Sequence, residues 1–102
     1  MLKIMAAAVI ATALAATPAQ AHSARELTYK IAGALGQASF ACNNPHLFAV
    51  GLSLAQSAGM NIHPAQVLRW EQAGLHGFDA LIRQRGLAAA CSNAARVAAH
   101  FE

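Results

Sequence analysis

The sequence predicts an all-α protein: a small four- to five-helix orthogonal bundle stapled by one disulfide. Three observations predict it. Apolar residues recur with helical period, and no run has the strict alternation of a half-buried strand. Glycine and proline divide the chain into helix-length segments. Two cysteines, Cys42 and Cys91, each fall on the apolar face of a helical segment, one in the first segment and one in the last.

The amino-terminal stretch comes first because it decides what the folded part is. Met1-Leu2-Lys3 precedes an apolar run from Ile4 to Ala16, and Thr17-Pro18-Ala19-Gln20-Ala21 follows. A charged start, an apolar middle and a small-x-small end are the three parts of a secretory signal peptide. Cleavage is expected after Ala21, with Pro18 holding the chain extended ahead of it. The apolar run is shorter than the roughly 20 residues of a membrane span, and no lipid-anchor cysteine follows it. The expected product is therefore a soluble protein of the periplasm or the medium, and the alanine-rich style of the signal is bacterial.

Residues 22–102 then form one helical domain with a thin core, the size class in which a covalent staple matters. An even pair of cysteines in an oxidising compartment reads as a disulfide. Closing a loop of about 50 residues stabilises by roughly 4 kcal/mol in the chain-entropy account. The rival reading, a reactive or metal-binding thiol pair, lacks a Cys-x-x-Cys motif.

The first helix is expected from Ser23 to Cys42. Ser23 and Glu26 have the spacing of a capping box, and Leu27, Ile31, Ala34, Leu35, Ala38 and Cys42 share a face. Asn43-Asn44-Pro45 breaks the chain, with Asn44 as cap and Pro45 in the first turn of the next helix. That helix, Pro45 to Ala58, is apolar over so wide an arc that it reads as central and buried. Gly59 ends it, and Met60-Asn61-Ile62-His63 connects to a third helix that Pro64 opens, with His63 as cap. Gly74 is expected to close that helix after Ala73. Leu75-His76-Gly77 then forms a hinge before a short helix, Phe78 to Arg85. Gly86 separates it from a last helix, Leu87 to Phe101, whose apolar face carries Ala90, Cys91, Ala94 and Ala98.

Charge limits the partners. Residues 22–102 carry Arg25, Lys30, Arg69, Arg83, Arg85 and Arg96 against Glu26, Glu71, Asp79 and Glu102, a net charge of +2 with neutral histidines. This is too weak and scattered for a nucleic-acid footprint, and export argues the same way. Protonating all five histidines raises the charge towards +7.

Few residues carry distinctive chemistry. His22 becomes the first residue if cleavage follows Ala21. Its amine and ring nitrogen can then chelate copper, an arrangement that resembles the terminal histidine of secreted copper oxygenases and periplasmic copper carriers. The plainer account is that cleavage happens to fall before a histidine. His46, His63, His76 and His100 include no i, i+4 pair and read as surface or cap residues. Glu71 stands in an apolar arc where its i±3 and i±4 neighbours, Val67, Leu68, Gly74 and Leu75, offer no partner. It reads either as a catalytic acid or acid-sensing group, or as a structural ion pair or a stem reaching the rim. Trp70 beside Arg69 marks a binding surface in one reading and the core or its rim in the other. Arg83 and Arg85 suit the carboxyl end of a helix. No catalytic triad order, phosphate loop or paired carboxylates are recognisable, so neither an enzyme nor a cofactor is expected.

The exported chain with Cys42 before the apolar Leu47-Phe48 segment, and with Ala90-Cys91 after a short helical one, resembles the periplasmic acid-stress chaperones of the HdeA type. It departs from them in having few charges and many alanines. The resemblance implies a chaperone-like protein that binds another polypeptide, or itself as a homodimer, with no membrane attachment after cleavage. The expected function is non-enzymatic polypeptide binding. A copper-binding protein centred on His22 is the alternative.

Overall fold

The computed structural model describes residues 18–59 and 62–102, with side chains described from Ala24 onward. Four helices follow one another: α1 (Pro18–Ala41), α2 (Pro45–Ser57), α3 (Pro64–Arg85) and α4 (Leu87–His100). There is no strand among the described residues. The signal segment before Pro18 and the connector residues Met60 and Asn61 lie outside them.

α1 is the spine of the bundle. α2 and α3 both pack along its length, and α4 closes its carboxyl end. The helix starts earlier than the sequence suggested. Ser23 and Glu26 therefore lie within it and do not cap it, and the Glu26 carboxylate accepts a hydrogen bond from Lys30 Nζ at 2.8 Å. The alanine-rich turn before Ser23 favours helix, which carries the backbone past the expected start. Pro18 is likewise the first helical residue and not an extended one, the position where its missing N–H is no loss.

The breaks are chemically specific. Asn43 takes φ 50°, a left-handed conformation that asparagine tolerates. The Asn43 N–H then bonds Phe40 O at 3.2 Å and the Asn44 N–H bonds Ser39 O at 3.0 Å, the paired bonds of a Schellman end. Asn44 also caps α2, its side chain accepting from His46 N–H at 3.1 Å. His63 caps α3 through its ring nitrogen, which accepts from Ala65 N–H at 3.1 Å. Gly86, at φ 88°, separates α3 from α4.

α3 corrects the expected hinge at 75–77. Gly74 does not close a helix, and α3 runs unbroken to Arg85. The reason lies on α1. A methyl group on Gly74 would stand 1.8 Å from the Lys30 carbonyl oxygen, and one on Gly33 would stand 2.0 Å from that of Glu71. Each glycine lets the opposite backbone come into contact. Gly74 is thus a packing residue inside a helix, where sequence alone reads it as a stop.

The core is built from Leu35 and Ala38 of α1, Leu47 and Val50 of α2, and Phe78 of α3, closed by Ala90, Ala94 and Ala98 of α4. Burial of each large apolar side chain stabilises by roughly 1.5–3 kcal/mol. Tyr29 and Trp70 extend the α1–α3 contact, stacked with centroids 6.0 Å apart. The Tyr29 hydroxyl donates to Gly59 O at 3.2 Å, tying the loop after α2 to α1. Cys42 and Cys91 form the expected disulfide, with Cα atoms 5.7 Å apart, and it joins the end of α1 to α4.

Candidate functional site

α2 and α3 flank α1 without closing on each other, and between them runs an open groove of about 280 Å³. Its floor is made of small residues, Ala32, Gly33 and Gly36 of α1 with Gly51 of α2. Gly51 is buried because its α-carbon faces the Ala32 carbonyl and the Leu35 side chain. Small residues here bring the helices close and leave the surface above them concave. Phe40, Phe48, Leu52 and Leu75 form the walls. Phe40 is 82 % exposed, Phe48 51 % and Leu52 49 %, so large apolar area faces solvent at one place. α2 is therefore not the central helix its composition implied. Leu47, Val50 and Gly51 are buried and its opposite side is open.

Two polar side chains line this groove. Gln37 donates from Nε2 to Asp79 Oδ1 at 3.1 Å. Glu71 is half-buried, and nothing pairs with its carboxylate among the described residues. Burial holds its carboxyl above the ordinary glutamate range. The fold thus favours the protonated form relative to the unfolded chain. That contribution to stability is full at acid pH and is lost as pH rises through the raised value. Glu71→Gln is accordingly expected to raise Tm at pH 7, with the gain shrinking as pH falls through the carboxyl range. Thermal unfolding by circular dichroism across that range checks it.

The consecutive residues Arg69, Trp70 and Glu71 go to three environments. Arg69 is exposed and bonds Gln66 on its own helix. Trp70 is 5 % exposed and stacks in the core on Tyr29. Only Glu71 reaches the groove. The side chain of His22 lies outside the described residues. His46, His63, His76 and His100 are all exposed, and His46 pairs with Glu102. No group of three or more histidine, cysteine or acidic side chains among the described residues is placed to hold a metal. None of the described helices is long and apolar enough to cross a membrane.

The groove walls escaped the reading of the sequence. By sequence, Phe48 and Leu52 belong to the wide apolar arc expected to be buried, and no local pattern marks Phe40. The available signal was the breadth of that arc, since a peripheral helix in so small a bundle can bury only one face. Compared with protein family models, curated proteins and solved structures, the chain matches none.

Proposed function

We propose that this chain is an exported, non-enzymatic protein of the periplasm that binds another polypeptide, taking an apolar segment of its client into the groove between α2 and α3. The observation that carries this reading is the cluster of exposed Phe40, Phe48 and Leu52 over a floor of glycine and alanine. Apolar side chains gathered in a concavity are the usual ground for polypeptide recognition, because helix-in-groove binding buries just such faces. The disulfide suits an oxidising compartment, and the signal-like residues 1–21 suit export.

A client aggregation assay tests the proposal. Light scattering of a reduced, unfolding client is expected to fall in the presence of the purified protein. The double variant Phe48→Ser, Leu52→Ser is expected to lose this protection. Both positions are about half exposed, so each truncation should cost about 1 kcal/mol and leave the variant folded. Equal protection by the variant, or none by the parent at any ratio, would overturn the assignment.

A further inference from the structure

We infer that the groove recognises an amphipathic helix that carries a lysine or arginine on its apolar face, with the cation seated against Glu71. The inference rests on the groove reading above and adds the chemistry of the occupant.

Charge complementarity supplies the argument. Among the described residues that line the groove, Glu71 bears the only charge, on a chain whose net charge is positive. The groups around it are already engaged or absent. On α1, Lys30 lies one turn before Gly33, and its Nζ is held by Glu26 at 2.8 Å. Gln37 on α1 donates to Asp79 on α3. α2 contributes no charged residue to this wall, and its single histidine, His46, pairs with Glu102. The carboxylate and the Gln37 carbonyl are hydrogen-bond acceptors, so the complementary partner brings donors and a positive charge. A lysine or arginine also brings an alkyl stem that matches the apolar walls.

The layout fixes the spacing. The Glu71 backbone meets α1 at Gly33 and the residue lines the groove, whereas Phe40 stands seven residues further along α1. That is about 10 Å, or two helical turns. The occupant therefore presents large apolar residues to Phe40 and Phe48, and its cation about two turns away on the same face. A docked helix of this kind makes a partly buried, charge-assisted contact, stronger than a surface ion pair.

The test uses an amphipathic helical peptide of about 18 residues with leucine on its apolar face. Three forms carry Lys, Met or Glu at the position two turns from the leucine cluster. Calorimetric titration into the purified protein at pH 7 is expected to show the Lys form binding roughly tenfold tighter than the Met form, with the Glu form weakest. In Glu71→Gln, an isosteric change, the preference for the Lys form over the Met form should shrink to within about twofold. The preference should also fade as pH drops through the carboxyl range of Glu71. Equal binding of the Lys and Met forms, or a Lys preference that survives Glu71→Gln, overturns the inference and leaves groove binding of apolar helices in place. Absence of binding by every peptide removes both. Self-association in sedimentation that Phe48→Ser, Leu52→Ser abolishes, with no peptide preference, assigns the face to a second copy and also overturns it.

Discussion

Replacing Cys42 and Cys91 with serine is expected to lower the unfolding free energy by about 4 kcal/mol and Tm by roughly 15–30 °C. The chain-entropy estimate alone gives this size, and the packing of α4 makes the loss local before it is global. The buried residues of α4 are Ala90, Ala94 and Ala98. A buried alanine removes little apolar surface from water, and the large apolar residue at the start of the helix, Leu87, is 48 % exposed. No side-chain cap supports the α4 amino end at Gly86. The disulfide therefore reinforces a joint between α4 and the end of α1 that otherwise rests on these alanines and the partly buried Val97 and Phe101. Hydrogen exchange should show α4 losing protection first on reduction, while the α1–α3 contact around Tyr29 and Trp70 holds longer. Uniform loss across all four helices would contradict this order.

Gly74→Ala is expected to destabilise the protein by about 3 kcal/mol or more, although alanine is the better helix former. The added methyl meets the Lys30 carbonyl oxygen at 1.8 Å, and Gly33→Ala meets that of Glu71 at 2.0 Å. Both obstacles are backbone atoms of a facing helix and cannot rotate away. α1 and α3 would have to separate, loosening the Tyr29–Trp70 stack and the seat of Phe78. The gain in helix propensity, about 1 kcal/mol, is too small to compensate. Gly77 supplies the contrast within the same helix. A methyl group there meets nothing within 4 Å, so Gly77→Ala should stabilise by roughly 0.5–1 kcal/mol. Chemical denaturation of the two variants side by side checks both signs. A stable Gly74→Ala would mean that the helices are not in backbone contact.

Much of the fold was legible because its signals are local. Asn44 and Pro45 start α2, His63 and Pro64 start α3, and Gly86 parts α3 from α4, each through a hydrogen bond or dihedral that belongs to those residues alone. The cysteine pair was legible from its place on two apolar faces. The continuous α3 was not, because Gly74 signals a helix end in isolation and a close crossing once Lys30 lies opposite. The packing role of Ala32 and Gly33 was not legible for a related reason: small residues bury backbone against backbone, which a count of apolar side chains does not register.

The candidate site divides in the same way. Glu71 stands out in the sequence as a carboxylate without a helical partner, and none of the described residues pairs with it in the folded chain. Whether it met a distant cation depended on which face α1 and α2 would turn towards it. Trp70, its neighbour, went to the core, and Phe40, Phe48 and Leu52 were left facing solvent. Helical class, helix breaks and the cross-linked cysteines follow from local sequence, because capping, φ restriction and periodicity act over a few residues. Tertiary structure alone decided that α3 is one helix, that α2 is half open and that a groove lies beside Glu71. Those depend on how closely distant backbones approach, and the glycines that set the approach carry no side chain to announce it.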